Sequence, residues 1–470
     1  MKYNEDEIMK IVFIPSFVVK SDGIPIPFIP LGLLSIMGCL KRDGINDVHL
    51  MDLNCILQQR KEGFSAEFYD YVTQSLLDTG YDLIGLSTSS TSFHHVISIA
   101  KRIKKRNPQI TIIVGGPGPQ VPSLAPSILE AFPCIDYLIP GEGEVTVPKL
   151  IRCIQEDKVP LDLPGVYFRY NGTTIMNEPN AFIENLDELP FPDFASMNVD
   201  NYVYGYKNSE SIIHIEQGRG CPFNCTYCST CVFWHRHPRN KSVSRVLREM
   251  DIMNELYSID NFSLINDCFN SNQNYLLEFC KQMKLAKKPY VWGCSLRVDL
   301  VTEETLDVLW DAGCRAFFAG IESGSKRIQR LINKNLNLNH VVNILAYAAR
   351  KGFHVRISFI IGFPEETQED LIETMKLHKN CLDIGVKESH VNLLTPLHGS
   401  QLLESGKYEL LFDGYGSTLN NNIILDEHIN DIQKYPQIFS AFYYLKPLHV
   451  RREEFIQEEI LANMLTIQYA

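Results

Sequence analysis

Three cysteines in the middle of the chain are spaced closely enough to hold one metal centre from a single loop. Cys221, Cys225 and Cys228 form a C-x3-C-x2-C run. A cubane [4Fe–4S] cluster has four irons, so three thiolates leave one iron open to a small molecule. A single zinc ion prefers four ligands instead, and Cys231 or His235 could supply the fourth. The run predicts a cluster with an open iron, with a zinc site as the alternative.

Tyr227 stands directly before the last of these cysteines, and with this aromatic residue the loop resembles the cluster loop of the radical S-adenosylmethionine (SAM) superfamily. The resemblance implies that the open iron binds the amino and carboxylate groups of SAM. One electron from the cluster, supplied by an external reductant of the flavodoxin or ferredoxin type, then cleaves SAM to a 5′-deoxyadenosyl radical. Because a fourth ligand would block SAM, we expect Cys231 not to bind the cluster.

The bulk composition is that of a globular protein of two or three domains. The chain has 470 residues, 45% of them hydrophobic, and its net charge of −12 argues against a general nucleic-acid binder. Its 13 cysteines are odd in number and unevenly spaced, which favours a reducing, cytoplasmic environment over a disulfide scaffold. The first residues lack the apolar core of a signal peptide, and no apolar run is long enough to span a membrane, so we expect no membrane association.

The first 155 residues alternate between predicted strands and helices, which indicates a parallel, doubly wound, Rossmann-like (flavodoxin-like) α/β domain. The predicted strands are 10–15, 48–53, 82–87, 110–114 and 135–139, and the predicted helices are 30–42, 94–104 and 125–131. Ligands of such sheets bind beyond the carboxyl ends of the strands. Small and polar residues stand at those ends, at 87–92 and 115–118, where they suit a polar ligand.

This stretch resembles the cobalamin-binding domain that precedes the barrel in many radical SAM enzymes. The resemblance is carried by Pro30–Leu34, Gly85–Thr88, Val114–Gly116 and Gly141–Glu144. It implies a cobalamin site that includes Leu31, Ser87, Thr88, Ser89, Gly115, Gly116, Gly118, Gly141 and Glu142. The D-x-H-x-x-G motif that supplies a cobalt ligand in other corrinoid proteins is absent, as it is in many radical SAM relatives. The alternative is a flavodoxin-like domain that kept the shape and lost the cofactor.

Residues 156–210 are predicted to form a hairpin followed by a linker. Two short apolar runs flank Asn171 and Gly172, a pair typical of a tight β-hairpin. Pro190 and Pro192 then stand among acidic residues, which favours an extended segment. Similar linkers join the two domains of the family that the chain resembles.

Residues 211–400 continue as strand–helix units. Six strands are predicted, at 212–215, 262–265, 291–296, 316–321, 355–361 and 391–394. Six such units form an open, partial (β/α)6 barrel of the TIM type, with its chemistry at the carboxyl ends of the strands. The resemblance implies that the last residues, 401–470, form a small, mainly helical region that closes the barrel and shapes the substrate pocket.

Polar residues again follow the strand ends, and they resemble the SAM contacts of the superfamily. The resemblance places Asn266 and Asp267 at the amino group of SAM, and Ser295 and Arg297 at its carboxylate or ribose. A guanidinium suits a carboxylate because it can bind both oxygens. The remaining SAM contacts that the resemblance implies are Glu322 at the ribose, and Gly362 and Tyr227 at the adenine.

The cysteines outside the cluster run are expected to be packing thiols for the most part. Cys268 and Cys381 are the two candidates for a catalytic hydrogen-atom donor to a substrate radical. A second triplet of clustered cysteines is absent from the N-terminal third, where Cys39, Cys55 and Cys134 stand far apart, and this argues against a methylthiotransferase.

These resemblances together imply a cobalamin-dependent radical SAM enzyme. Its expected reaction is hydrogen abstraction from a small-molecule or peptide natural product, followed by methyl transfer from methylcobalamin to an unactivated carbon, since such chemistry belongs to the cofactors. The first alternative is a radical SAM peptide epimerase, or a rearrangement or cyclisation enzyme, with a cysteine hydrogen donor. The second is a non-catalytic corrinoid or Fe–S carrier.

Overall fold

A computed structural model of the chain describes residues 9–19, 23, 25, 28–60, 62–118, 122–202, 204–205, 211–415 and 423–469. The chain divides into two compact units. Unit 1 comprises Met1–Glu184, Glu188–Tyr202 and Asn420–Phe442, and unit 2 comprises Asn185–Asp187, Val203–Leu419 and Tyr443–Ala470. Among the helices in the described part of the chain, none is both long enough and apolar enough to span a membrane.

Unit 1 is built on one seven-stranded sheet with the order β2-β1-β3-β4-β5-β6-β7. The strands are β1 Ile11–Ile14, β2 Val48–Leu50, β3 Leu83–Ser87, β4 Thr111–Gly115, β5 Tyr137–Ile139, β6 Tyr167–Tyr170 and β7 Thr173–Met176. The first five are parallel, and β1, β3, β4 and β5 are mostly buried, as expected for strands of a sheet covered on both faces, whereas the edge strand β2 is partly exposed. The predicted doubly wound fold is therefore confirmed.

The hairpin β6–β7 extends this sheet at its β5 edge in antiparallel orientation. Its turn residues Asn171 and Gly172 both have positive φ, at 50° and 78°, which is the backbone of the type I′ turn that this pair predicts. The hairpin thus belongs to unit 1 rather than to a free linker.

The helices of unit 1 include four that the sequence analysis did not predict. They are α1 Leu31–Arg42, α2 Leu53–Gln59, α3 Ala66–Thr79, α4 Phe93–Arg106, α5 Ala125–Ala131, α6 Gly143–Gln155 and, from the C-terminal part of the chain, α15 Asp426–Lys434. α6 and α15 are two of these, and the other two are α2 and α3. Their signals were present, because Asp52 caps α2 through the amide of Asn54, and α3 ends at the left-handed Gly80.

Unit 2 is built on a second seven-stranded sheet with the order β16-β15-β14-β13-β12-β9-β8. Its strands are β8 Tyr204–Gly205, β9 Ser211–Glu216, β12 Asn261–Ile265, β13 Val291–Ser295, β14 Cys314–Glu322, β15 His354–Ile361 and β16 Glu388–Leu393. The six predicted strands are the six parallel ones, and only β8 runs antiparallel. Two further pairs are short, β10 Gly218–Arg219 with β11 Arg239–Asn240 and β17 Leu410–Leu411 with β18 Tyr444–Leu445.

Helices connect these strands. They are α7 Thr230–Phe233, α8 Val243–Tyr257, α9 Gln273–Ala286, α10 Glu303–Asp311, α11 Lys326–Leu331, α12 Leu338–Lys351, α13 Gln368–Asp383, α14 Gln401–Glu404 and α16 Arg452–Tyr469. A capping box begins α13, since Thr367 and Asp370 each accept from the other's backbone amide.

The C-terminal helix α16 covers the free edge of β16. Three residues on one face of the helix bond to the backbone of that strand. Glu459 accepts from the amide of Leu393, Asn463 bonds to both polar groups of Val391, and Thr466 donates to the carbonyl of Ser389. This contact replaces a seventh barrel strand and protects an edge that would otherwise be open to pairing.

Candidate active site

The three predicted cluster cysteines lie in the loop that follows β10 in unit 2. Gly220 begins this loop with φ +93°, and a side chain there would meet the carbonyl oxygen of His237 at 2.5 Å. The Thr226 amide donates to the carbonyl of Ile332 at 3.0 Å, so the loop is fastened to the end of α11. A glycine is therefore required where the chain enters the loop.

The cysteine geometry does not match a single-ion site. Among the described residues of this loop, the sulfur atoms of Cys221, Cys225 and Cys228 do not all lie within 4.8 Å of one another. Cys231, the candidate fourth ligand, is buried and donates its thiol to the Cys228 carbonyl at 3.1 Å, so its sulfur is turned to the loop's own backbone. Three cysteines that form no disulfide and stand wider than a zinc site fit a larger cluster.

A buried polar triad stands beside the loop. The Tyr227 hydroxyl donates to Glu322 Oε1 at 2.9 Å, and Lys334 Nζ lies 2.6 Å from the same oxygen and 3.4 Å from the Tyr227 hydroxyl. Burial first, and the Glu322 carboxylate second, hold the pKa of Tyr227 well above its usual value, so the hydroxyl stays a donor. Glu322 itself has φ +69°, a conformation that is uncommon for a non-glycine residue and is often found at functional sites.

Lys334 is a site residue that the sequence analysis missed. It lies after α11, outside every strand end, and no motif points to it. The one local signal is its pair of flanking asparagines, Asn333 and Asn335, which both adopt positive φ. They mark a tight loop that brings a lysine from distant sequence to Glu322.

Arg297 joins the cluster loop to the same triad. Its guanidinium lies 3.9 Å from Cys225 Sγ, 3.8 Å above the ring of Phe223 and 2.8 Å from Asp299, and it also donates to the carbonyl of Lys334. A cation in this position lowers the energy of a neighbouring thiolate, the form that binds iron. The structure thus places Arg297 against the cluster loop.

Asn266 and Asp267 lie at the end of β12, on the other side of the loop entrance. Asp267 accepts from the Gly220 amide at 2.7 Å, and burial raises the pKa of Asp267. Asn266 donates to Gln217 at 2.6 Å, and its oxygen accepts from the Cys268 amide at 2.7 Å. Both residues therefore shape the backbone around the cysteines.

Ser295 and Gly362 end strands β13 and β15 respectively, as predicted. Gly362 has φ +91°, and its amide donates to Glu366 Oε2 at 2.7 Å. Glu366 also accepts from the Phe363 amide at 3.2 Å, and burial raises the pKa of Glu366 to about 8. Glu366 is a second residue that the sequence analysis did not single out, and it fixes the backbone where the adenine was expected.

The two candidate hydrogen donors lie in different places. The Cys268 side chain is hydrogen-bonded to Cys221, and this bond is the largest influence that lowers the pKa of Cys221, to about 7. Cys381 is fully buried in α13, and its carbonyl accepts from Val386, two residues before β16 begins. Cys381 therefore lies at the amino end of the sheet, away from the strand ends that carry the site, and the structure gives it no position as a hydrogen donor there.

The predicted cobalamin residues of unit 1 centre on a network of hydroxyls. Ser92 Oγ lies 2.7 Å from Ser16 Oγ, 3.0 Å from Ser89 Oγ and 3.2 Å from Thr88 Oγ1. Ser16 follows β1, and the loop from Ser87 to Ser92 follows β3. The strand order reverses between β1 and β3, which is where doubly wound sheets bind ligands.

The glycines after β4 allow the backbone to come close to this network. Gly116 has φ +101°, and a side chain there would meet Thr88 O at 2.6 Å and Ser87 Oγ at 2.9 Å. Gly118 is equally crowded, since a side chain would lie 2.8 Å from Thr88 Cγ2. Any side chain at these positions would fill the edge on which a flat ligand is expected.

The remaining predicted cobalamin residues lie at nearby element ends. Leu31 begins α1, Gly115 ends β4, and Gly141 is exposed in the turn before α6. Glu142 is buried, and its Oε2 accepts from the Ile183 amide at 2.8 Å. One oxygen of Glu142 is thus used to hold the segment after the hairpin.

Comparisons with known proteins agree with both halves of this description. The family model "Radical SAM superfamily" matches residues 215–378, and "B12 binding domain" matches residues 24–151. The two matches define an enzyme built from an iron–sulfur barrel and a corrinoid domain. The chain belongs to the cobalamin-dependent radical SAM enzymes, and its cofactors are a [4Fe–4S] cluster, SAM and cobalamin.

Individual relatives are distant but extensive. An uncharacterized methyltransferase of Pyrococcus horikoshii is 29% identical over 69% of this chain and 69% of its own length. The anaerobic magnesium-protoporphyrin IX monomethyl ester cyclase of Rubrivivax gelatinosus is 24% identical over 79% of this chain, which spans 66% of the cyclase. The structure of the radical SAM methyltransferase TsrM from Kitasatospora setae superposes with a TM-score of 0.72 at 14% identity, covering 96% of this chain and 88% of TsrM.

Proposed function

We propose that this enzyme is a methyltransferase that transfers a methyl group to an unactivated carbon of a small-molecule or peptide natural product. When bound, the cluster and SAM supply a carbon radical that abstracts hydrogen, and cobalamin carries the methyl group. The observation that carries the proposal is that one chain holds both a three-cysteine loop of cluster size and a corrinoid-type sheet edge.

The residues of unit 2 have distinct tasks in this proposal. Cys221, Cys225 and Cys228 hold the cluster, and Arg297 stabilises their thiolates. The Glu322 carboxylate accepts from the ribose hydroxyls of SAM, and the Tyr227 ring packs on the adenine while its hydroxyl holds Glu322 in place. Lys334 pairs with the buried Glu322 carboxylate at 2.6 Å and holds it in position.

The inner face of the unit 2 sheet leaves room for a substrate. Along these strands, buried side chains that pack against the helices alternate with side chains that point to the inner face. The side chains on the inner face remain accessible, since Ile265 is 41% exposed and Phe318 is 38% exposed. In a closed barrel this face is filled by packed side chains. An open inner face next to the SAM-binding strand ends therefore supports a substrate chamber there.

A second candidate function is radical cyclisation or rearrangement without methyl transfer. Its support is the resemblance to a relative named as a cyclase, over 79% of this chain. One form of this alternative needs a free cysteine thiol that donates a hydrogen atom to the substrate radical. The Cys268 side chain is hydrogen-bonded to Cys221, a predicted cluster ligand, and this argues against Cys268 as that donor.

The products formed from SAM distinguish the two functions. We suggest anaerobic reconstitution with iron, sulfide, hydroxocobalamin, SAM and a one-electron reductant, followed by quantification of 5′-deoxyadenosine and S-adenosylhomocysteine. A methyltransferase that recharges its cobalamin from SAM forms both products. A cyclase forms 5′-deoxyadenosine alone, and a non-catalytic carrier forms neither.

Matched cysteine variants separate cluster chemistry from background. Cys228→Ala is expected to abolish 5′-deoxyadenosine, because two thiolates no longer hold the cluster. Cys231→Ala, three residues away, is expected to form 5′-deoxyadenosine as the wild type does. The proposal would be overturned if S-adenosylhomocysteine stayed absent while 5′-deoxyadenosine accumulated with cobalamin bound.

A further inference from the structure

Unit 1 contains a cluster of three buried histidines that the proposed function does not use. His94 and His95 lie in the first turn of α4, and His428 lies in the first turn of α15. Their exposed fractions are 2%, 0% and 1%. Each offers one ring nitrogen such that the three nitrogens lie within 4.8 Å of one another.

Several of these nitrogens have no hydrogen-bond partner. Both ring nitrogens of His94 and the Nε2 of His95 are buried without one. The backbone at Ile423 approaches His94, but no hydrogen bond of normal geometry forms between them. A buried polar atom without a hydrogen-bond partner lowers the stability of the fold. Binding of one ligand that contacts several of these nitrogens at once is therefore favoured.

The other nitrogens meet Tyr69, on α3. Its hydroxyl lies 2.5 Å from His95 Nδ1 and 3.1 Å from His428 Nε2. An oxygen therefore already occupies the space between two of the three rings. A Glu427 oxygen lies 3.7 Å from His428 Nε2 and brings negative charge to the rim of the cluster.

The surroundings of the cluster are apolar. Phe17 and Phe64 lie 5.0 Å and 5.5 Å from His95, and Phe442 lies 4.9 Å from His94, measured between ring centroids. Burial lowers the pKa of all three histidines. An aromatic shell of this kind excludes competing water from a metal site.

We propose that His94, His95 and His428 bind one divalent transition-metal ion, with the Tyr69 hydroxyl as the nearest oxygen donor. Imidazole ligands favour zinc and its neighbours over magnesium or calcium. Binding through His428 Nε2 has one structural consequence, because the Leu425 amide now donates to His428 Nδ1 at 3.1 Å and must turn away. The ion would fasten α15 to α3 and α4, beside the ion pairs of α4 with Glu427 and Asp431.

Zinc content of the full-length enzyme tests this site. The chain, reconstituted with its cluster and cobalamin, is dialysed against a chelator, loaded with zinc and desalted, and its zinc is counted by mass spectrometry, which distinguishes zinc from iron and cobalt. We expect about one zinc per chain, as for a buried site of this kind. His428→Gln is expected to lose this zinc, and His49→Gln is expected to keep it, because His49 is a unit 1 histidine with a 45% exposed side chain.

X-ray absorption at the zinc edge keeps the test decisive if a variant fails to fold, because it needs only the unmodified chain. The expected first shell is nitrogen and oxygen at about 2.0 Å, without sulfur. A shell of sulfur at about 2.3 Å would assign the zinc to cysteines and overturn the proposal. Equal zinc in wild type and folded His428→Gln, or no retained zinc at all, would overturn it as well.

Discussion

Lys334 shows how a single residue can support a site that no strand-end motif reveals. Its ammonium is 10% exposed and the Glu322 side chain is 7% exposed, so the pair is buried. Removing one partner of such a pair leaves an uncompensated charge, and Lys334→Met is expected to lower the free energy of unfolding by about 3 kcal/mol. Urea unfolding of the cofactor-free protein measures this loss.

The matched control for Lys334 is an exposed ion pair in the same unit. The side chains of Lys446 and Glu409 are 57% and 59% exposed, so Lys446→Met is expected to leave the free energy of unfolding unchanged. The double variant Lys334→Met with Glu322→Gln should recover much of the lost stability, since it removes the stranded charge. An equal loss in the single and double variants would show that the ion pair is not the cause.

Glu366 gives the molecule a specific pH dependence. Burial raises its pKa from 4.5 to about 8 in the folded state, so the folded protein binds a proton that the unfolded chain releases. Stability from this group is complete below pH 4.5 and falls as the pH rises toward 8, by about 1.4 kcal/mol for each pH unit in that window. Glu366→Gln should unfold with a flatter pH profile between pH 5 and 8 in urea titrations. A profile parallel to wild type would contradict a protonated Glu366.

Site residues on strand ends could be predicted from the sequence because parallel strands place their carboxyl ends at one edge. Asn266, Asp267, Ser295, Arg297, Glu322 and Gly362 all lie at or next to such ends, as expected. Their partners could not be predicted. Lys334 and Glu366 come from loops, and the position of a loop side chain depends on tertiary contacts that no periodicity encodes.

At the scale of elements, the contact between α16 and the edge strand β16 makes a contribution to stability that can be measured. Asn463 accepts from the Val391 amide at 3.2 Å and donates to the Val391 carbonyl at 2.9 Å, as a neighbouring strand would. Asn463→Leu leaves the amide and the carbonyl of Val391 without this partner and is expected to lower the free energy of unfolding by about 2 kcal/mol. Hydrogen exchange at Val391 should accelerate, whereas Gln457→Leu, at an exposed position of the same helix, should leave it unchanged.

The elements themselves were largely predictable, but their assignment to a sheet was not. The resemblance implies one mainly helical, pocket-forming region over residues 401–470. The structure divides that stretch, with Asn420–Phe442 in unit 1 and Tyr443–Ala470 in unit 2. Local hydrophobic patterns show that a helix has an apolar face, and they do not show which core receives it.

At the scale of the whole molecule, each cofactor is expected to depend on its own unit. The predicted cluster ligands belong to unit 2, and the predicted cobalamin edge belongs to unit 1. Gly116→Ala places a methyl group 2.6 Å from Thr88 O, so the edge must shift and cobalamin content should fall. Iron content should stay at the wild-type level, and both metals are measured by elemental analysis after anaerobic reconstitution.

The control for Gly116 is a glycine that also has a positive φ but where a side chain meets no collision. Gly63 also lies in unit 1 and has φ +71°, but a side chain there meets nothing within 4 Å. Gly63→Ala should therefore keep both cobalt and iron, which separates strain from filling of the edge. Cys228→Ala should show the reverse pattern to Gly116→Ala, with iron lost and cobalt kept. Loss of iron together with cobalt in Gly116→Ala would mean that the cluster loop depends on unit 1, and the two cofactors could not be assigned to separate units.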